Sequence, residues 1–188
     1  MGRIVVTEFI SLDGVIEDPG GAEDFKYGGW SFEFNRGDAG NKFKLDETMG
    51  SAALLLGRVT YKGFAEAWPQ RDGEFADRFN TMRKYVVSST LKDPEWTNST
   101  VLDGDVPTAV AELRDKEGGD IIVHGSAQLV QTLLEHDLVD ELRLMVFPVV
   151  LGSGKRLFGA TSEKKRLRLA DSKVVGDGVA ILVYTRAE

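Results

Sequence analysis

Three places in the chain put small or hydroxyl-bearing residues directly after a strand-like run. The first is His124-Gly125-Ser126-Ala127-Gln128-Leu129, which follows the apolar run 121–123 and leads into a helical pattern. Small residues let a ligand approach the backbone closely, and the free amides at a helix start favour an anion such as a pyrophosphate. The alternative interpretation is a tight strand-to-helix turn in which Ser126 caps the helix.

The other two places have the same character. Gly57 ends the run 54–56, and Arg58 and Thr60 stand at the start of the helix that follows, where both can reach a phosphate. The alternative there is a surface arginine and a capping threonine. Ser88, Ser89 and Thr90 follow the strand-like run 85–87 and are equally typical of a hydrogen-bonded turn. Because ligands in α/β sheets bind at the carboxyl ends of the strands, the three places together predict a nucleotide with more than one phosphate group.

Two glycine-rich segments are similar to nucleotide-binding motifs but lack residues that those motifs require. Gly152-Ser153-Gly154-Lys155-Arg156 lacks the first glycine and the Ser or Thr of a P-loop, and it follows Pro148 instead of opening a helix. Gly176-Asp177-Gly178 lacks the third glycine of a dinucleotide fingerprint and lies between two strand-like runs. It predicts a hairpin turn.

The composition excludes several kinds of chemistry. The 188 residues include no cysteine and two histidines, which removes disulfides, thiolate catalysis and Cys-type zinc sites and disfavours a multi-His metal centre. No metal site is predicted. His124 ends a buried strand beside the first motif, as a ligand-side residue or as a hydrogen-bonded core histidine. His136 lies near a helix end and is expected to be structural.

Charge and hydropathy restrict the partners. Thirty acidic and 23 basic residues give a net charge of −7, which argues against a nucleic-acid partner held by phosphate neutralisation. No apolar run approaches the length of a membrane span, and the first residues do not read as a signal peptide, so a cytoplasmic protein with no membrane partner is expected. The stretch 155–173 is basic. It fits a solvated, alternating edge strand with one wet face, or an anion site for a substrate phosphate.

The elements that must position these residues alternate along the chain. Strand-like runs occur at 4–10, 53–56, 85–88, 121–124, 141–147, 167–174 and 179–185. Helical stripes lie between them, with apolar residues at Phe75, Phe79 and Met82, and in the segments 106–113 and 129–134. The Gly-rich stretch 18–40 predicts a long functional loop. The pattern predicts one α/β domain over residues 1–188, with helices flanking a mixed, mostly parallel sheet that antiparallel strands close.

The order of these motifs resembles the dihydrofolate reductase-like fold, and most closely the reductase domain of bacterial riboflavin biosynthesis. Glu8–Ile16 looks like that family's first strand with its Ser-Leu-Asp-Gly turn, and Gly29-Trp30-Ser31 looks like its substrate-loop tryptophan. The most specific block is 121–158, with Leu138-Val139-Asp140-Glu141-Leu142 and Phe147-Pro148-Val149-Val150-Leu151-Gly152 inside it.

The resemblance implies a three-layer fold, an NADPH-dependent reductase acting on a small molecule, and a homodimer. The turn Gly125, Ser126, Ala127, Gln128 and Leu129 would hold the pyrophosphate. The adenosine ribose and its 2′-phosphate would contact Gly57, Arg58, Thr60, Ser88 and Ser89. Ile16 and Phe9 would lie near the nicotinamide. The substrate would meet Phe9, Ser11, Trp30 and Lys155, with Asp13 as the catalytic polar partner; Asp13 also fits a plain Asp-Gly turn.

One departure bears on the substrate. Dihydrofolate reductases carry a carboxylate on the first helix, where a count back from Gly57 puts Asn41, with Asp38 and Asp46 nearby. Folate reduction is therefore disfavoured, and reduction of a pyrimidine ribosylamine phosphate is the leading hypothesis. The alternatives are reduction of another small or pterin-like substrate, and a nucleotide-binding stress protein without turnover.

Overall fold

The computed structural model of the protein describes residues 1–187, in which strands and helices alternate up to the last helix. The strands are β1 Arg3–Ser11, β2 Ser51–Gly57, β3 Arg83–Val87, β4 Ser99–Leu102, β5 Asp120–His124, β6 Glu141–Phe147, β7 Leu167–Val175 and β8 Val179–Arg186. The helices are α1 Gly37–Met49, α2 Arg58–Ala67, α3 Glu74–Thr81, α4 Val106–Lys116 and α5 Ala127–Glu135.

All eight strands form one sheet in the order β4-β3-β2-β5-β1-β6-β8-β7. The strands from β4 to β6 in this order run parallel, whereas β8 is antiparallel to β6 and β7 is antiparallel to β8. The carboxyl ends of β3, β2, β5, β1 and β6 therefore meet at one edge of the sheet. The predicted fold class, a mixed and mostly parallel α/β sheet with antiparallel C-terminal strands, is confirmed.

Apolar side chains cover both faces of the sheet. Val110 of α4 and Leu133 of α5 pack on one face against residues such as Val123, while Tyr61 of α2 and Phe79 of α3 pack on the other. Strands β2, β5 and β1 are buried on both faces, as their continuous apolar runs predict. Burying each such side chain contributes about 1.5–3 kcal/mol, which fixes the strand ends that carry the polar residues.

The sequence-based boundaries need two corrections. β4 was not predicted, because its four residues Ser99–Leu102 are too short and too polar to show a clear alternation. The Gly-rich stretch 18–40 is irregular only to residue 36, apart from a short 3-10 turn at Trp30–Glu33, since α1 begins at Gly37. The predicted hairpin turn at 176–178 is confirmed between β7 and β8.

The edge strand β7 also differs from its prediction. The alternation of Arg166 to Leu169 predicted one wet face, but every residue of β7 before Val175 is exposed. Leu169 is 50% exposed and Val174 is 73% exposed. Helix α1 contacts β7, where Lys173 Nζ lies 5.0 Å from the centroid of the Phe43 ring, but it leaves these side chains exposed.

Within residues 1–187, no helix combines the length and the apolar character that crossing a membrane requires.

Candidate functional site

Strands β2 and β5 are joined at their carboxyl ends through one serine side chain. The Ser126 hydroxyl oxygen accepts a hydrogen bond from the Gly57 amide at 2.9 Å and lies 3.0 Å from the Thr60 hydroxyl oxygen. A Cβ on Gly57 would lie 3.2 Å from the Ser126 oxygen, which favours glycine there. The first two sequence motifs thus form a single site.

The turn between β5 and α5 needs an unusual backbone. Gly125 and Ser126 both adopt left-handed φ angles, 55° and 61°. A Cβ on Gly125 would lie 2.8 Å from the Thr60 hydroxyl oxygen, so glycine is required by packing as well as by φ. For Ser126, a left-handed φ costs about 1 kcal/mol, which its hydrogen bonds to the neighbouring segment offset.

The start of α5 is open to an anion. Ser126 occupies the capping position of α5, as the alternative interpretation predicted, but its side chain makes no capping hydrogen bond. Its hydroxyl instead bonds to the Gly57 amide and the Thr60 hydroxyl. The first turn of α5, which contains Ala127, Gln128 and Leu129, carries no acidic residue. The first amides of a helix have no partner within it, and the helix dipole favours negative charge there.

Arg58 follows Gly57, whose amide bonds to the Ser126 hydroxyl of this turn. It is the first residue of α2, which begins directly after Gly57, and its side chain is exposed. Within residues 1–187, no ion pair or side-chain hydrogen bond engages its guanidinium. Arg58 is therefore available to an anionic group at the same edge.

The third predicted motif forms a turn. The Ser88 hydroxyl oxygen accepts hydrogen bonds from the Thr90 and Leu91 amides at 3.2 and 3.0 Å, and Ser89 is exposed. This is the hydrogen-bonded turn that the sequence allowed as an alternative. Since β3 lies next to β2, the turn still flanks the Gly57 end, and the role of Ser88 and Ser89 in binding remains a prediction.

Two titratable side chains at this edge have a buried polar atom with no hydrogen-bond partner within residues 1–187. Glu8 on β1 is 5% exposed; its Oε2 accepts the Gly125 amide hydrogen at 3.0 Å, and its Oε1 has no hydrogen-bond partner. Burial raises the pKa of Glu8 well above its usual value. Sequence reasoning did not single out Glu8, although a lone acid in an apolar strand was the available signal.

His124 is the second such group. Its Nε2 is buried without a partner, and its ring lies 5.3 Å from Phe79 and 6.0 Å from Phe64, centroid to centroid. Burial lowers the pKa of His124 well below the usual histidine value, and the charge of Lys44 lowers it further. The imidazole is therefore neutral near neutral pH, and the expectation of a fully hydrogen-bonded core histidine is wrong for Nε2.

Asp13 is held as a fully hydrogen-bonded carboxylate. It accepts hydrogen bonds from the Ser11 hydroxyl at 2.6 Å and from the Leu151 and Gly152 amides at 3.1 and 2.8 Å. These bonds, the Ser11 bond foremost, lower the pKa of Asp13 to about 2. An acid with this pKa has no proton to give at neutral pH, so the geometry favours the turn interpretation, in which Asp13 ties the first loop to 151–152.

The residues expected at the substrate and nicotinamide are spread over the loops beyond β1. Trp30 is 1% exposed: its ring packs edge-on against Phe147 of β6, and its indole nitrogen donates to the Glu17 carbonyl at 2.8 Å. Ile16 is 6% exposed and belongs to the core. Lys155 is exposed, with its Nζ 3.7 Å from Glu17. Their contacts with a ligand remain predictions.

Two cationic side chains lie over the ring of Phe9, near the end of β1. The Arg36 guanidinium carbon lies 4.9 Å from the ring centroid, and Lys44 Nζ lies 5.3 Å from it. Lys44 also pairs with Glu47 on the same helix, and both contact the Thr7 hydroxyl. Glu47 is thus the carboxylate of α1 that is buried against the sheet, and the ion pair with Lys44 neutralises its charge.

The candidates on α1 that the sequence analysis named lie outside this arrangement. Asn41, Asp38 and Asp46 are all exposed on α1, and Asp46 pairs with Lys42 at 2.6 Å. An unpaired carboxylate for a cationic pterin ring is therefore not provided by these three positions.

Three of the seven basic residues in the stretch 155–173, including Lys155, have an acid within 4.0 Å. Arg156 lies 3.9 Å from Asp13, and Lys165 lies 3.1 Å from Asp137. These pairs favour the solvated interpretation of this stretch over a phosphate site.

The fold and this edge define an α/β domain in which a glycine turn and an uncapped helix start face the carboxyl ends of parallel strands, the arrangement that receives ligands in such sheets. The family model described as the RibD C-terminal domain matches residues 3–181. The protein belongs to this family, and the resemblance to the riboflavin-biosynthesis reductase domain is confirmed.

Two similar proteins of Bacillus subtilis (strain 168) are both uncharacterized. YyaP is 26% identical over 194 residues, covering 97% of this chain and 94% of its own length. YwjB is 30% identical over 181 residues, covering 95% of this chain and 94% of its own length.

Two solved structures share the fold. One is a Shewanella sp. PV-4 protein named for riboflavin biosynthesis, with a TM-score of 0.77, 23% identity and 99% of both chains covered. The other is a pyrimidine reductase-like protein of Corynebacterium diphtheriae, with a TM-score of 0.63, 14% identity, and 99% of this chain and 92% of its own covered. At these identities the two structures support the fold alone. The family indicates an oxidoreductase.

Proposed function

We propose that the protein is an NADPH-dependent reductase that acts on a pyrimidine ribosylamine phosphate, as in riboflavin biosynthesis. The observation that carries the proposal is the junction of β2 and β5, where Ser126 joins Gly57 and Thr60 and leaves the start of α5 uncapped. A site of this construction suits a dinucleotide, because its diphosphate needs backbone amides, close approach and positive potential.

The residues at this edge fit such a cofactor. Gly125 leaves no side chain between the turn and Thr60, the first turn of α5 is free of acids, and Arg58 is exposed and unpaired within the described residues. The segment Gly125–Leu129 would hold the diphosphate, and Arg58 with Thr60 would face the 2′-phosphate. When bound, the reduced nicotinamide supplies a hydride, and the product also requires one proton.

The polar groups of the protein at this edge have separate roles. Asp13 stays ionised and holds the 151–152 loop beside the end of β1, so it orients the loop and is not the source of the proton. His124 is neutral, with its Nε2 buried, and it lies next to Thr7 in the sheet. Of the two cations on the Phe9 ring, Lys44 is paired with Glu47, and Arg36 gives the α1 side of the edge a positive charge suited to an anionic substrate.

Turnover tests the proposal. Purified protein is mixed with NADPH and, in separate arms, with the pyrimidine ribosylamine phosphate, with dihydrofolate or with no substrate, and loss of the reduced-nicotinamide absorbance is followed. Consumption only in the first arm is expected. Consumption only with dihydrofolate would replace the substrate, and NADPH binding without consumption in any arm would favour a nucleotide-binding protein without turnover.

A further inference from the structure

Glu8 is an acid inside the central strand of the sheet. It shares one face of β1 with Val6 and Ile10, which are 0% and 4% exposed, and it is itself 5% exposed. A carboxylate at such a position is expensive unless cations or several hydrogen bonds compensate it.

The other deeply buried glutamates have such compensation. Glu47 pairs with Lys44, and Glu117 pairs with Arg83 at 3.0 Å and accepts the Tyr85 hydroxyl at 2.6 Å. Glu8 has a single hydrogen bond, from the Gly125 amide, and no ion pair within the described residues. Its environment therefore suits the neutral acid.

The groups around Glu8 do not change this conclusion. On α1, the positive charge of Lys44 favours ionisation and the negative charge of Glu47 opposes it, and both effects are smaller than that of burial. On β5, the neutral His124 pairs with Thr7, the residue before Glu8. The partner of Glu8 on β6 is Leu144, and the first turn of α5 contains no acidic residue. The pKa of Glu8 is accordingly raised well above its usual value.

The hydrogen bond of Glu8 Oε2 also determines where the second carboxyl oxygen, Oε1, lies. Because Oε2 accepts the Gly125 amide hydrogen at 3.0 Å, Oε1 of the same carboxyl group also lies at the Gly125–Ser126 turn. In the neutral acid with Oε2 as the acceptor, the hydrogen is on Oε1, and no acceptor in the described chain meets it. Most buried donors in proteins have an acceptor, and an anionic oxygen of a ligand would supply the acceptor that the described chain does not.

We propose that Glu8 acts in its protonated form, accepting the Gly125 amide through Oε2 and donating from Oε1 to an anionic oxygen of a diphosphate bound at the start of α5. The proposal rests on the function proposed above, which places a nicotinamide dinucleotide there. A carboxylic acid kept neutral by burial is a known way to supply a hydrogen-bond donor to an anion. Ionised Glu8 would lose this bond and repel the ligand, so binding is linked to one proton.

Binding of two probes across a pH series tests this. Dissociation constants for NADPH and for inorganic pyrophosphate are measured by calorimetry from about pH 6 to about pH 9 with the wild type, Glu8→Gln, Glu8→Leu and the control Glu117→Gln. For the wild type, affinity is expected to fall by up to about tenfold per pH unit above the pKa of Glu8. Glu117→Gln should follow the same curve, because Glu117 is a buried acid at the opposite edge.

Glu8→Gln keeps both hydrogen bonds, since the amide oxygen accepts and the amide nitrogen donates. It should therefore retain the wild type's low-pH affinity and lose the decline at high pH. The ligands' own phosphate groups also titrate, with a second pKa of about 6 in a monoester, and can make affinity depend on pH. This dependence is present in Glu8→Gln as well, so the difference between the two proteins isolates the effect of Glu8. Glu8→Leu, which cannot donate, should bind about tenfold more weakly or worse at low pH.

The outcomes separate the two proposals. Equal pH profiles for wild type and Glu8→Gln would overturn the role of Glu8 while leaving cofactor binding intact. Failure of the wild type to bind either probe at any pH would overturn the dinucleotide site and the role of Glu8 together. If Glu8→Leu does not fold, the pH profiles of the wild type and Glu8→Gln still decide whether Glu8 binds the ligand as the neutral acid.

Discussion

Gly125 and Thr60 are so close that a Cβ on Gly125 would lie 2.8 Å from the Thr60 hydroxyl oxygen. The contact joins the turn after β5 to the first turn of α2, across two segments that are far apart in sequence. It makes the glycine a requirement of the site's construction, and it yields the first prediction.

Gly125→Ala should destabilise the protein by about 1–2 kcal/mol, because a residue with a Cβ is strained at a φ of 55° and this Cβ also meets Thr60. NADPH affinity should fall by at least about tenfold, since the α5 amides move with the turn. Chemical denaturation and NADPH titration measure the two effects.

The matched control is Gly104→Ala. Gly104 has a φ of 90° and open space around a Cβ, so this variant should lose similar stability while binding NADPH normally. Unchanged NADPH affinity in Gly125→Ala would remove the turn from the cofactor site.

Arg58→Ala should weaken NADPH by roughly 10- to 100-fold and leave NADH nearly unchanged, because a charge-assisted hydrogen bond to the 2′-phosphate contributes about 1.5–3 kcal/mol. The exposed side chain has no partner to disturb within residues 1–187, so stability should not change. Titrations with both nucleotides measure the ratio of the NADPH and NADH affinities.

The control is Arg71→Ala. Arg71 is another exposed arginine, which stacks on Trp68, and its replacement should leave both affinities unchanged. Equal losses for NADPH and NADH in Arg58→Ala would contradict the assignment.

His124 should make the protein less stable in acid. Its pKa is lowered in the folded state, so the unfolded chain binds the proton more readily, and the free energy of unfolding decreases as pH falls below the usual histidine pKa of about 6.5. Urea denaturation of the wild type and of His124→Gln at a series of pH values should show a smaller decline for the variant. His136→Gln, at an exposed histidine, should match the wild type, and a parallel decline in all three proteins would show that His124 is not responsible.

Lys84 is a buried cation that has no acid partner among residues 1–187. Its Nζ donates to the carbonyls of Asn80, Met82 and Thr97, each at 2.9 Å, and lies 4.2 Å from the centroid of the Trp96 ring. Burial lowers its pKa to about 8. Lys84→Met should therefore cost about 2–4 kcal/mol of stability, because the variant leaves buried carbonyls unsatisfied.

Thermal or chemical denaturation measures this cost. Lys62→Met, on the exposed side of α2, controls for the loss of a lysine and should change stability by less than about 0.5 kcal/mol. Near-equal stabilities for the two variants would show that the Lys84 hydrogen bonds contribute little.

The exposed edge strand β7 is where we expect a second copy of the chain to pack. Both faces of β7 are exposed and carry apolar side chains, Val174 among them at 73% exposure. Light scattering should show a homodimer, and Val174→Lys should shift it towards the monomer. Val59→Lys, at another exposed valine on α2, should leave the mass unchanged. A monomeric wild type would contradict this expectation.

Local patterns in the sequence predicted most of the fold. Apolar runs such as 54–56 and 121–123 predicted the buried strands, and the stripes at Phe79 and Leu133 predicted the helices that cover them. These predictions succeeded because periodicity and burial are local properties of the chain. β4 and the start of α1 were missed, since four half-polar residues and a Gly-containing helix carry too weak a pattern.

The sequence by itself also identified Gly125 and Gly57 as the ends of strands that could face a phosphate. Only the tertiary structure decided what surrounds them. Ser126 bonds to Gly57, 69 residues away, instead of capping its own helix, and Glu8 turns a carboxyl group to Gly125 across 117 residues. Such hydrogen bonds depend on which strands become neighbours, a result of packing the whole sheet, and no spacing along the chain encodes them.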